Sequence, residues 1–311
     1  MEDEVFEKYV KAGKIWSQTK ERALEMAKPG IRLLELAETL EKNIIDAGGG
    51  LAFPVNLSLN EEAAHATPGY KDPAILGKDV IKIDVGVHID GYICDGAFTL
   101  DFSGKHTKQI QATEFALGQA LSLAQENNEV SSIGDAVEKT LKDAGYKPVQ
   151  NLTGHGLDRF EQHAHPSIPN IRMKNAGVFE EGHAYAIEPF ATTGKGLVHE
   201  GARTEIYRFD QPRPLRNTVA RQLMETAARE FGNLPFAERM LIEKTNATDF
   251  ARKMAMKELV HARVLTAYPV LRESGGFIVT QAENTVVLHA KKTVPLIENW
   301  PPKEKAVREK E

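Results

Sequence analysis

At 311 residues the chain has room for one large domain or two ordinary ones, and its 41% hydrophobic and 27% charged content sets it apart from disordered chains. A net charge of −5 removes any general electrostatic reason to bind nucleic acid, and no apolar run approaches the roughly 20 residues of a membrane helix. The lone Cys94 excludes an internal disulfide, and the acidic start Met1-Glu2-Asp3-Glu4-Val5 lacks the pattern of a secretory signal, so the expected location is the cytoplasm.

In chain order, Val5 to Met26 has helical spacing and stops at Lys28-Pro29-Gly30, and Ile31 to Asp46 forms a second helix ending at Gly48-Gly49-Gly50. Val80 to Ile89 reads as a strand, Asp90-Gly91 as a two-residue hairpin turn, and Tyr92 to Leu100 as the return strand. Pairing across that turn sets Ile89 opposite Tyr92, Gly86 opposite Asp95 and Asp84 opposite Ala97. Asp84 and Asp95 then share one face as diagonal neighbours, roughly 7–8 Å apart at the backbone. Ile81, Ile83, Val85, Val87, Ile89, Cys94, Phe98 and Leu100 take the other, core-facing side. Two carboxylates facing each other on a packed hairpin repel unless a cation sits between them, which points to a metal.

Further on, Thr107 to Glu126 and Ile133 to Ala144 are helical, the second stopping at Gly145, and Ala184 to Ile187 is a strand. The order helix, helix, strands therefore occurs twice. Glu41-Lys42-Asn43-Ile44-Ile45-Asp46-Ala47-Gly48 echoes Glu138-Lys139-Thr140-Leu141-Lys142-Asp143-Ala144-Gly145, which supports a duplication. Arg216 to Leu271 differs in kind. Val219 to Met224 and Phe250 to Lys257 are helical, with Lys244-Thr245-Asn246-Ala247-Thr248 between them, and the whole reads as a helical insertion between two strands of the parent sheet. Its Lys and Arg residues form either a solvated helix face or a partner surface. Phe277 to Leu288 reads as one further strand, and Pro301 to Glu311 as a solvated end.

Three more side chains join the aspartates as candidate ligands. His155, in Thr153-Gly154-His155-Gly156, is a ligand or a loop histidine, its flanking glycines allowing close backbone approach. Glu188, in Ile187-Glu188-Pro189-Phe190, is a ligand or a strand-end surface charge. Glu283 stands in an apolar strand, where a lone carboxylate is not buried without a partner. Four carboxylates with one neutral imidazole balance two divalent cations. The absence of a cysteine set excludes a Cys-rich zinc site, and oxygen-rich ligation with one nitrogen suits manganese, iron, cobalt or zinc. Two such ions about 3.5–4 Å apart share a bridging water, lower its pKa and hold a carbonyl oxygen, which predicts hydrolysis.

The ordered set Asp84, Asp95, His155, Glu188 and Glu283 resembles the methionine aminopeptidases, an α+β family of pita-bread (creatinase/aminopeptidase) fold. The resemblance extends through Phe53-Pro54, Ala63-Ala64-His65-Ala66-Thr67-Pro68, Ile83-Asp84-Val85-Gly86, Gly154-His155-Gly156, Ser167-Ile168-Pro169-Asn170 and Ala186-Ile187-Glu188-Pro189-Phe190. The insertion before Tyr268 resembles the helical subdomain of the type 2 enzymes, in their archaeal form. It implies two pseudo-symmetric halves over residues 1–193 and 272–311, with the type 2 insertion at 194–271. It also implies that the aspartates and Glu283 bridge or chelate two divalent ions (Co2+, Mn2+, Fe2+ or Zn2+), with His155 and Glu188 completing one shell. Glu188 would handle the proton of the attacking water, His65 and His163 would contact the peptide, and Phe53 and Tyr268 would line the methionine pocket. The implied substrate is the N-terminal methionine of nascent chains with a small second residue. The ribosome is a candidate partner, no nucleic acid or membrane is expected, and the chain is expected to act as a monomer. Gln162 and His165 depart from the family pattern, which has an apolar pocket residue and a glycine there. Two rivals share the scaffold: a prolidase or related aminopeptidase, and a non-catalytic relative that binds RNA or protein.

Overall fold

The computed structural model describes residues 1–174, 177–242, 244–245 and 247–302. The expected solvated tail from Lys303 onward, and Asn246 in the insertion, lie outside the described residues. Two helices, α1 (Asp3–Met26) and α2 (Leu33–Asp46), precede the short strands β1 (Gly50–Leu51), β2 (Asn56–Leu59) and β3 (Glu62–Ala64). The hairpin follows as β4 (Val80–Ile89) and β5 (Tyr92–Asp101), in the expected register: Ile89 faces Tyr92, Gly86 faces Asp95 and Asp84 faces Ala97. Asp90 and Gly91 take φ of 51° and 90°, the positive values that a tight hairpin turn of the right twist demands. The apolar side of this hairpin packs on α1. Trp16 is fully buried there, its indole N–H donating to the Val85 carbonyl at 2.8 Å. Burying an aromatic of this size contributes roughly 4–6 kcal/mol before entropy is counted.

The second half repeats the pattern with α3 (Thr107–Leu123), α4 (Ser131–Asp143), β6 (Lys147–Pro148), β7 (Thr153–Asp158), β8 (Glu161–Pro169), β9 (Ala184–Ile187) and β10 (Phe190–Thr192). Helix α3 stops at Leu123 rather than at Glu126, because the Leu123 carbonyl accepts from the Asn128 side chain at 2.9 Å and from the Gln125 N–H at 2.8 Å. The echoed segments end in the same way: Gly48 and Gly145 both adopt left-handed φ, 80° and 84°, just past α2 and α4.

The segment read as a helical insertion between two strands holds three helices between two long strands. Long strands β11 (Val198–Phe209) and β13 (Leu265–Glu273) pair antiparallel and flank α5 (Thr218–Glu230), β12 (Phe236–Ala237), α6 (Glu238–Ile242) and α7 (Asp249–His261). Asn217 and Thr248 cap α5 and α7, accepting from first-turn N–H groups. Leu223, Phe236, Leu259 and Leu265 form an apolar cluster of their own beside the main core.

The single strand expected over Phe277 to Leu288 is broken into β14 (Val279–Gln281) and β15 (Asn284–His289), with β16 (Lys292–Pro295) after it. At the break, Ala282 N–H donates to the Pro189 carbonyl and Glu283 N–H to the Ala97 carbonyl, so the two pieces join different sheets. β14 pairs with β10 and β15 with β9, and the facing chain is interrupted in the same place, at Glu188-Pro189. Each interruption carries a carboxylate. The larger sheet has the order β16-β15-β9-β7-β8, and β4 is flanked by β5, β1 and β2 in another. Hydroxyls link the halves: Thr285 accepts from Asp95 N–H at 2.8 Å and donates to the Asp95 carbonyl at 2.7 Å, and Thr99 does the same with Gln281. Among the described residues, no helix is long and apolar enough to cross a membrane.

Candidate metal centre

Asp84 on β4 and Asp95 on β5 leave the hairpin on one face, and the structure brings His155 on β7, Glu188 at the first strand break and Glu283 at the second onto the same spot. Ligand atoms of Asp95, His155 and Glu283 all lie within 4.8 Å of one another. His155 Nε2 is 3.8 Å from a carboxylate oxygen of both Asp95 and Glu188. Gln281 Nε2 sits amid the rest, 3.5 Å from Asp84, 3.4 Å from Glu188 and 3.4 Å from Glu283. Neither Gly154 nor Gly156 could carry a Cβ without striking the Ala186 or His165 carbonyl, so the glycines around His155 serve close strand packing.

Four buried carboxylates at these separations do not ionise together without a compensating cation. Burial raises Asp84 to about 7. Asp95, Glu188 and Glu283 are pushed well above the usual carboxylate range, first by burial and then by their acidic neighbours. Among the described residues no lysine or arginine forms an ion pair with any of the four; the two salt-bridge contacts involve His155. His155 itself is lowered to about 4 by burial and is a neutral nitrogen donor. Asp84 Oδ1 and Asp95 Oδ1 are buried with no hydrogen-bond partner. Acceptors without donors, a neutral imidazole and no protein cation are what a divalent metal centre requires.

The cluster lines a cavity of about 290 Å³, which also reaches Phe53, His65, Gln162, His163, His165 and Tyr268. Phe53 lies over Gly86, where any Cβ would meet its ring. His65 takes a left-handed φ of 61° just after β3, a strained geometry that turns its ring edge-on to Tyr268 at 5.6 Å. Its Nδ1 is buried without a partner, and burial lowers its pKa. His163 stands edge-on to His155 at 4.5 Å. Burial, and then the neighbouring His155 and His65, lower it to about 3, so it is neutral at pH 7. Along β7 and β8, His155 pairs with Ser167 but Gly156 pairs with Ala164, so His165 and Pro166 form a bulge next to His163.

The two departures from the family pattern both face this cavity. Gln162 directs its amide toward Asp95 at 3.4 Å, which gives that polar group a partner, and His165 lines the wall. Sequence reasoning missed Gln281, Asn56, Ile206 and Pro235. Gln281 stands two residues before Glu283 on a strand, a spacing that signals a shared face. The last two, on β11 and just before β12, carry no signal by type or spacing.

The family model for metallopeptidase family M24 matches residues 7–211. A methionine aminopeptidase of Pyrococcus horikoshii is 44% identical over 284 residues, which is 91% of this chain and 96% of that protein. One from Archaeoglobus fulgidus is 43% identical over 289 residues, covering 93% and 97%. Among solved structures, a thermophilic Arx1 superposes with a TM-score of 0.83 at 19% identity, covering 95% of this chain and 91% of that one. Methionine aminopeptidase from Rickettsia prowazekii gives 0.69 at 18% identity, covering 96% and 98%. Both share the fold. With the pita-bread architecture, the carboxylate-rich centre and near full-length likeness in hand, the chain belongs to metallopeptidase family M24, within its methionine aminopeptidases.

Proposed function

We propose that this chain is a type 2 methionine aminopeptidase of the archaeal form, acting as a cytoplasmic monomer. It removes the N-terminal methionine of nascent proteins and peptides when the second residue is small. The observation that carries this reading is the meeting of four carboxylates and a neutral imidazole in a cavity walled by Phe53, Tyr268, His65 and His163. Residues 1–193 and 272–311 form the catalytic body, and 194–271 an insertion that lends Ile206, Pro235 and Tyr268 to the cavity and offers a surface to the ribosome.

Asp84, Asp95, His155, Glu188 and Glu283 hold two divalent ions, drawn from cobalt, manganese, iron or zinc. Such ions supply Lewis acidity and a water acidic enough to attack near neutral pH. The protein does the rest. The rings of Phe53 and Tyr268 suit a flexible thioether through sulfur–aromatic contact. The carboxylate of Glu188, beside His155 at 3.8 Å, takes the proton that the attacking water gives up. Neutral His163 and His65 each have a ring N–H to donate, to the developing oxyanion or the leaving nitrogen.

A panel of Met-X and Leu-X peptides with acetylated controls tests the reading. Release of free methionine should be confined to unblocked peptides in which X is Gly, Ala, Ser, Thr, Val, Pro or Cys. Cleavage of acetyl-Met peptides, or a preference for X-Pro peptides lacking methionine, would overturn it.

A further inference from the structure

One polar atom in the cavity wall has no use in the scheme above. Asn56 on β2 is the direct cross-strand partner of Asp84 on β4, so both side chains leave the sheet on the same face. Cβ atoms in such a pair lie about 4.5–5.5 Å apart. Asn56 lines the cavity with Phe53 and His65 and is only 5% exposed. Its Nδ2 donates to the Pro54 carbonyl at 3.3 Å, so the nitrogen turns to its own chain and Oδ1 away from it. That oxygen is buried and has no hydrogen-bond partner, a situation that carries the desolvation penalty of an unmade bond.

An acceptor in that position calls for a donor that arrives with the substrate. The methionine residue at a peptide's start offers few. Its thioether has no N–H or O–H, and its carbonyl only accepts. Its donors are those of the free α-amino group. Asp84, the cross-strand neighbour of Asn56, places that oxygen at the edge of the carboxylate cluster, where the first carbonyl must arrive.

We propose that Asn56 is a substrate-binding residue whose Oδ1 accepts a hydrogen bond from the α-amino group of the N-terminal residue. It thereby selects unblocked chains and fixes how far the peptide enters before its first carbonyl meets Glu188 and His163. Acetylation removes two of the three N–H donors of an ammonium and adds bulk where Asn56 and Asp84 close in. This assignment rests on the aminopeptidase reading.

The test is a binding cycle on metal-loaded protein, with L-methionine and its des-amino analogue 4-(methylthio)butanoate titrated calorimetrically into wild type, Asn56→Leu and Asn56→Ala. Metal content is measured in each. A hydrogen bond to a charged group is worth about 10- to 100-fold in affinity, so the preference for methionine over the analogue should fall by about that factor in both variants. Metal content should stay at the wild-type level. Asn56→Ala removes the same oxygen without adding bulk, so it gives the readout if the leucine variant fails to fold. Equal weakening of both ligands would show that Asn56 acts only through the shape of the cavity, and would overturn the assignment. So would loss of metal from the variants, which would place Asn56 among the metal-holding groups. A wild type that cleaves Met-Ala peptides while its variants keep the full preference for the amine defeats the Asn56 assignment alone. A wild type that neither cleaves them nor distinguishes the two ligands defeats the aminopeptidase reading, and this assignment with it.

Discussion

Helix α6 is tied to α2 by a buried ion pair, and its removal has a calculable outcome. Glu41 on α2 accepts from Arg239 on α6 and, at 3.0 Å, from the N–H of Val55; the two residues are 8% and 5% exposed. Burial pushes the Glu41 carboxyl up and Arg239 opposes it, leaving it at about 7 against an ordinary 4.5. At about 1.4 kcal/mol per unit, keeping this carboxyl ionised in the fold costs about 3 kcal/mol at pH 8. Arg239→Met takes away the strongest opposing influence, and the carboxyl escapes by taking up a proton, so at pH 8 the pH-dependent part of the lost stability should be about 1 kcal/mol. Because the folded pKa lies above the unfolded one, Glu41's contribution is fully present below about 4.5 and is lost as pH rises through about 7. That part of the penalty of Arg239→Met should be absent at pH 5, where the carboxyl is protonated in the fold with or without Arg239. Glu41→Gln with Arg239→Met removes the charge altogether and should recover most of the loss. Urea unfolding of wild type, both single variants and the double variant at pH 5 and pH 8 measures all of this. Additive losses, or a penalty for Arg239→Met that is the same at both pH values, would refute the reasoning.

Asp84→Asn removes one negative charge and part of the proposed ligation, so metal content by mass spectrometry and peptidase rate should both fall; a variant with full metal occupancy would place Asp84 outside the ligand set. His163→Ala should lower turnover by about 10²–10³-fold with metal content unchanged, since its ring N–H is assigned to substrate, and purification without metal would instead make it a ligand. Asp84, raised to about 7 in the metal-free fold, must lose its proton to bind a cation. Metal uptake at pH 6 should consequently release protons and weaken as pH falls further, which calorimetry in buffers of different ionisation heat detects; uptake independent of pH between 5.5 and 8 would contradict the burial argument.

The hairpin was legible in the sequence because everything that sets its register is local: a turn that needs positive φ at Asp90 and Gly91, and apolar alternation on either side. Glu283 was legible as a misfit, a carboxylate in an apolar strand. That the strand breaks there was not, because the carbonyls that take its N–H groups belong to Pro189 and Ala97, distant in the chain. The same holds for Gln281 and Asn56. A glutamine or asparagine in a strand is unremarkable by type, and only tertiary pairing puts one amide among three carboxylates and the other beside Asp84. For His65 the motif gave its position, whereas the left-handed backbone that aims its ring arises from the β3–β13 junction.

The interrupted strands also govern when this centre can exist. Its five groups run from Asp84 to Glu283 along the chain, and none of the pairings that bring them together is local apart from the hairpin. Topologies dominated by such distant contacts form slowly and late. A chain still being synthesised, or cut short before Glu283, holds aspartates and a histidine but not the carboxylate whose backbone N–H docks on Ala97. The five groups meet only in the complete fold. Metal uptake by the proposed ligand set should therefore follow closure of both halves and can report it.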